Sequence, residues 1–157
     1  MVVFSTSVLL HMYSHAQRSL FAKEAGGQLF SAVVNRPVVE VTHITGPNCK
    51  DRRGRHKLDW DIPQMNADRD AHFLEGRHVV GLWHTHPQAC PTPSHQDEKT
   101  TRQFLDALEG SMEGFLQVIV GNKGTVPNIG VWLAQRGPTK SWDVLEELRA
   151  LDEHSGA

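Results

Sequence analysis

The chain has 157 residues, 39% apolar and 22% charged, a formal net charge of −2 and only two cysteines, Cys49 and Cys90. Those values fit a single globular domain over residues 1–157 and exclude a disordered chain or a disulfide-stapled miniature. Near-neutral charge without a basic stripe argues against nucleic acid as a partner; no apolar run reaches about 18 residues and the start lacks a secretory pattern, so no membrane association and a reducing cytoplasm are expected.

In chain order, Val8, Leu9, Met12, Ala16 and Leu20 recur every three to four residues, which predicts an amphipathic helix over Ser7 to Leu20, capped by Ser5, Thr6 or Ser7. After the Gly26, Gly27 pair, Gln28 to Val34 and Val38 to Thr45 read as strands. Lys50 to Lys57 is a basic loop, in which Lys50, Arg52, Arg53, Arg55 and Lys57 oppose Asp51. Its charges suit either plain solvation or an acidic partner. Leu58 to Ile62 reads as a short strand, and Pro63 opens a helix that runs through Met65, Ala71 and Phe73 to a Gly76 C-cap.

Val79 to Trp83 is a continuous apolar strand, halted soon afterwards by Pro87. From Ser94 the period becomes helical, with Phe104, Leu105, Leu108 and Met112 on one side and Gly110 near the end. Phe115 to Val120 and Ile129 to Ala134 predict a hairpin, and Trp142, Leu145, Leu148 and Leu151 a last helix, before Asp152 to Ala157 fray. The order implies a mixed α/β (α+β) fold, a largely antiparallel sheet sandwiched by helices rather than a doubly wound one. Trp60 and Trp83 read as core residues.

Among the ten histidines, two occupy a pattern of their own in LWHTHPQACPTPSHQD, residues 82–97. Alternate strand residues share a face, so His84 and His86 project together and Thr85 away from them. Pro87, Pro91 and Pro93 stiffen the connection to Ser94. If a helix starts there, Asp97 lies in its first turn, where the helix dipole favours a carboxylate. Two imidazoles and a carboxylate are three ligands of a catalytic zinc, which keeps a fourth position open. Ser94 and Asp97 also form the S-x-x-D of a capping box, and the two roles are compatible.

HTHPQACPTPSHQD fits, without a gap, the HxHx7SxxD signature of the JAMM zinc peptidases (MPN-plus or JAB domains), and the chain resembles that family over most of its length. The family has an upstream glutamate before a glycine pair, which KEAGGQLF supplies as Glu24. The resemblance implies a cytidine-deaminase-like JAB/MPN fold, Zn2+ held by His84, His86 and Asp97, Glu24 as general base and acid, and Ser94 as oxyanion donor. It also implies cleavage after the C-terminus of a ubiquitin-like modifier. The compact chain, with its WHTHP and PxPS wording, is similar to the bacterial stand-alone branch, and within it to the deconjugating peptidases of CBASS antiphage operons. Their likeness implies release of a conjugated cyclic-nucleotide synthase; a related branch trims a sulfur-carrier or another ubiquitin-like protein.

Other residues suit these roles less well. Glu98 projects about 100° around a helix from Asp97, and Glu40 and Glu75 lack the glycine pair. His11 and His15 have the spacing of an HExxH helix, but Met12 stands where that motif needs glutamate, so they read as surface residues. His95 reads as exposed at a helix start. Cys90 must face away from a metal that keeps an open position. The HxE and PCxxC elements of zinc deaminases are missing, and the presence of all five polar residues sets aside a metal-free MPN scaffold.

Overall fold

A computed structural model describes residues 1–108, 112–123 and 128–136, together with the backbone of residues 142–144 and 148–151. The chain opens on a strand, β1 (Val2–Ser5), and Ser5 then caps helix α1 (Thr6–Ser14) by accepting from Val8 N at 3.3 Å. The expected helix to Leu20 is therefore too long. Its last turn tightens to three-residue bonds, His15 N to Met12 O and Ala16 N to Tyr13 O, while Leu20 and Phe21 stay 77% and 92% exposed. Gln17 is instead drawn off the helix axis by partners elsewhere in the fold, described below.

Strand β2 (Gly26–Ser31) follows. The run expected as one strand over Val38 to Thr45 divides into β3 (Val39–Val41), which pairs parallel with β1, and β4 (His43–Ile44), which pairs antiparallel with β2. A single stretch serves two sheets because it turns at Thr42, whose N–H reaches Phe30 O at 3.1 Å. The basic loop contains a strand, β5 (Arg52–Arg53), paired with β6 (Leu58–Asp59) as a hairpin. Helix α2 (Ile62–Leu74) starts at the Asp61 cap with Pro in its first turn, and Gly76 beyond its end takes a positive φ of 76°, as a C-terminal glycine does.

Strand β7 (His78–Thr85), helix α3 (His95–Ala107), and strands β8 (Gly114–Val120) and β9 (Ile129–Gln135) complete the centre. Gly110 and the tip of the β8–β9 hairpin lie outside the described residues. The last helix is a misreading. Two strands stand there, β10 (Trp142–Val144) against β9 and β11 (Leu148–Leu151) against β1, while Leu145 and the segment from Asp152 lie outside the described residues. Unpaired groups at the edges of β9 and β1 attract backbone partners, and that long-range demand overrides a short helical period.

The six-stranded sheet has the order β10-β9-β8-β7-β2-β4, antiparallel except where α3 carries the chain across from β7 to its parallel neighbour β8. A smaller sheet, β11-β1-β3, stands apart from it. One face packs Phe4, Val8, Met12, Trp83 and Val118 into a core, and the other packs Phe30, Met65, Leu82, Leu105 and Phe115. Each such buried side chain contributes roughly 1.5–3 kcal/mol. Strand β7 thus alternates Leu82 and His84 toward α2 and α3 with Trp83 and Thr85 toward the α1 side, and this sorting aims its first histidine at the start of α3.

Candidate metal centre

The glycine pair sets the site's foundation. A Cβ on Gly27 would lie 1.8 Å from Thr45 O, and one on Gly26 would lie 2.5 Å from Trp83 O, so only glycine lets the start of β2 press against β7 and the turn after β4. Thr85, between the histidines, fastens the strand start from the other side. Its N–H reaches Ala25 O at 2.9 Å, and its hydroxyl accepts from Ala25 N at 3.0 Å and donates to Gln17 Oε1 at 3.0 Å. Gln17 in turn donates to Ala22 O and Arg55 O, at 3.1 and 2.9 Å.

Glu24 is held through its backbone: its N–H donates to Gly54 O at 2.7 Å and its carbonyl accepts from Arg53 Nε at 2.5 Å. Arg55 also binds the carbonyls of Ser19 and Leu20. Two of the five basic residues from Lys50 to Lys57, Arg53 and Arg55, are therefore braces for the glutamate segment rather than a solvated surface. The Glu24 side chain is buried at 8% exposure. Burial and the nearby Asp97 carboxylate push its pKa up to about 7, against the opposing pull of His86.

His84 and His86, 4% and 9% exposed, present Nε2 atoms 2.9 Å apart at the end of β7. Asp97 closes the group, with Oδ1 3.3 Å from His84 Nε2 and Oδ2 3.3 Å from His86 Nε2. It reaches there because Ser94 caps α3 in a full capping box: Ser94 Oγ accepts from Asp97 N at 3.2 Å, and Asp97 Oδ2 accepts from Ser94 N at 2.7 Å. Burial opposes charge on Asp97, but hydrogen bonds from His84 and His86, the charge interaction with His84 and the Ser94 N–H outweigh it and hold the carboxyl well below the usual range. Burial lowers the His84 pKa despite Asp97, whereas at the less enclosed His86 the contributions of Asp97 and Glu24 prevail and raise it.

One ligand atom from each of His84, His86 and Asp97 lies within 4.8 Å of the others, and no other described residues form such a group. Two imidazole nitrogens and a carboxylate oxygen aimed at one point suit a divalent cation, which relieves the mutual crowding of the donors. Glu24, His84, His86, Ser94 and Asp97 line one cavity of about 610 Å3, so all five residues selected from the sequence come together.

The other candidates lie elsewhere. Glu98 pairs with Arg102, Glu75 with Arg77, and Glu40 is exposed. His95 and Cys90 are exposed, as expected. His11 and His15 are not simply surface residues: both rings pack on Trp83, and His11 Nε2 lies 2.7 Å from Gly46 O. Trp83 is core, whereas Trp60, half-buried against the second cluster, also lines the cavity. Sequence reading passed over Gln117 and Thr101. The Gln117 amide lies 2.8 Å from His84 Nδ1 and 2.6 Å from Thr101 Oγ1, which is 2.8 Å from Asp97 O. A glutamine inside the apolar strand GFLQVIV was the available signal.

This is a metallohydrolase, with a sheet-end ligand pair, a carboxylate from the crossing helix and a buried glutamate around an accessible cavity. Residues 5–142 match the family described as prokaryotic homologs of the JAB domain. The chain is 28% identical over 138 residues to a CD-NTase/cGAS isopeptidase of Escherichia coli (strain TW11681), covering 86% of this chain and 81% of that protein. It is 33% identical over 121 residues to one of Pseudomonas aeruginosa (strain BWHPSA011 / Pa011), covering 75% of each. A protein from Desulfitobacterium hafniense, known from its solution structure, shares the fold with a TM-score of 0.70 at 19% identity, over 98% of this chain and 94% of that one. The chain belongs to the prokaryotic JAB-domain family. No described helix is long and apolar enough to cross a membrane.

Proposed function

We propose that the chain is a zinc-dependent isopeptidase that cuts the bond after the C-terminus of a conjugated cyclic-nucleotide synthase, freeing the synthase from a target amine. The convergence of His84, His86 and Asp97 within 4.8 Å, in the cavity that Glu24 lines, carries this reading. The naming of two relatives as CD-NTase/cGAS isopeptidases supports the choice of substrate. Three protein ligands, two of them imidazoles, favour zinc with an open position.

When bound, zinc supplies Lewis acidity for the scissile carbonyl and lowers the pKa of water toward about 7. Glu24, buried beside the ligand group, accepts the proton of the attacking water and returns it to the departing lysine amine. Ser94 accepts from Asp97 N yet keeps its own hydroxyl hydrogen, which it donates to the oxygen that gains charge in the transition state. Amide and water become carboxylate and amine. The β5–β6 hairpin, through Lys57, Leu58 and Asp59, walls the cavity and offers backbone groups along which an extended C-terminal tail can lie. Free, exposed Cys49 and Cys90 suit a cytoplasmic place of action.

The test uses purified, zinc-loaded protein and two substrates, a synthase joined through its C-terminal carboxyl to a lysine amine and a sulfur-carrier protein extended at its C-terminus. Release of intact synthase, lost on chelation and restored by zinc, is expected. Cleavage of the sulfur carrier alone would transfer the same chemistry to that substrate, and cleavage of neither would overturn the peptidase reading.

A further inference from the structure

The inner side of the metal centre contains a closed chain of polar groups. Gln117 on β8 is 1% exposed, Thr101 on α3 is 0% exposed and His84 on β7 is 4% exposed, so these bonds are shielded from bulk water. Imidazole Nδ1 of His84, the Gln117 amide, Thr101 Oγ1 and Asp97 O follow one another at 2.8, 2.6 and 2.8 Å.

An amide can present its two ends either way round, and the direction decides what His84 can do. As the amide stands, its NH2 faces His84 Nδ1 and its oxygen faces Thr101 Oγ1, so Nδ1 would have to accept and the neutral ring's hydrogen would sit on Nε2, the atom aimed at Asp97 and His86. A protonated Nε2 has no lone pair for a cation. If the Gln117 oxygen faces Nδ1, the hydrogen sits there and Nε2 is free to ligate.

Thr101 chooses between these arrangements. Its hydroxyl has one hydrogen, and Asp97 O, a carbonyl, can only accept it. Having donated to Asp97 O, Thr101 can satisfy Gln117 only by accepting, which places the NH2 end at Thr101 and the oxygen at His84. This arrangement gives up just a long 3.4 Å contact between the amide nitrogen position and Val118 O.

We propose that Gln117 is a positioning residue that locks His84 in the Nδ1–H tautomer, with Thr101 orienting the Gln117 amide from the helix that also bears Asp97. Two ligands on separate elements thereby share one internal brace. Groups that orient a metal-bound histidine from behind typically change metal affinity by about 10- to 100-fold when removed. The inference rests on the proposed zinc centre and adds a residue to it.

The experiment measures the zinc dissociation constant by chelator competition for the whole protein and for Gln117→Met, Gln117→Glu and Thr101→Val. Met keeps the length and bulk but cannot accept strongly, so zinc binding is expected to weaken ~10- to 100-fold. Glu still accepts from Nδ1–H and should restore affinity to within a few-fold of wild type, a rescue that a space-filling role would not produce. Thr101→Val should weaken binding less than Gln117→Met. If Gln117→Met does not fold, 15N NMR of the metal-free wild type decides the matter, because a neutral His84 ring with its hydrogen on Nδ1 is expected and the hydrogen on Nε2 refutes the assignment. Wild-type affinity in folded Gln117→Met, or failed rescue by Glu, overturns the role of Gln117 alone; a wild-type chain that binds no stoichiometric zinc overturns the metal centre with it.

Discussion

Replacing Glu24 by Gln tests the mechanism and the physical state of the site together. Glu24 is 8% exposed, and in the metal-free protein its pKa is pushed from the ordinary 4.5 up to about 7. In that state its acid and base forms are therefore comparably populated near neutrality. Gln keeps the shape but neither takes nor returns a proton, so hydrolysis should fall by about 10²- to 10⁴-fold while His84, His86 and Asp97 still hold zinc.

Stability of the metal-free protein should move the other way. Between pH 4.5 and about 7 the folded chain holds a proton on Glu24 that the unfolded chain has released, so wild-type stability falls as pH rises through that window and levels off above it. A sealed group with that rise would lose ~3 kcal/mol. The cavity is also lined by exposed Lys57 and Ser94, and screening by solvent there reduces the effect to about 1–2 kcal/mol. Glu24→Gln escapes this loss. Thermal unfolding from pH 4.5 to 8, with chelator present, should show its advantage over wild type growing from near zero to ~2–8 °C. Parallel melting curves would refute the raised pKa, and hydrolysis within tenfold of wild type would refute the base.

Zinc affinity should weaken as pH falls, because the cation must displace the proton that Asp97 and Glu24 favour on His86; below the His86 pKa the expected slope is about tenfold per pH unit, read by chelator competition. A flat profile would contradict that proton's place. Ser94→Ala should keep zinc, since Asp97 Oδ2 is bonded to the Ser94 backbone, yet lose about 10²- to 10³-fold in turnover and about 1 kcal/mol of helix capping. Ser94→Gly should recover most of the capping loss in a melting experiment and none of the turnover. Gly27→Ala would set a Cβ 1.8 Å from Thr45 O and should cost about 1–3 kcal/mol or more in denaturant unfolding, whereas Gly54→Ala, whose nearest neighbour would be 3.7 Å away, should be close to neutral.

What could be read from the sequence was whatever short-range geometry dictates. A period of two puts His84 and His86 on one face, and S-x-x-D at a helix start places Asp97 beside the Ser94 backbone; the capping box and the three-ligand group both follow those rules. The elements from Pro63 to Ala134 were legible for the same reason, since each satisfies its own pattern locally, whereas the strand expected over Leu58 to Ile62 ends at Asp59 because Asp61 caps a helix that already includes Ile62.

Tertiary structure decided the rest, because those outcomes depend on groups far apart in the chain. The segment from Trp142 to Leu151 forms strands rather than a helix, since β9 and β1 offer open edges that no local window contains. His11 and His15 lie against Trp83, and the basic hairpin became a brace for Glu24, only once β7 and β2 had met. The amino-acid sequence by itself determined which donors stand at the end of β7 and the start of α3. Folding alone brought Gln117, 33 residues beyond His84, to the back of its ring, because a parallel crossover sets β8 beside β7 and a buried polar group there must find its partner across the sheet.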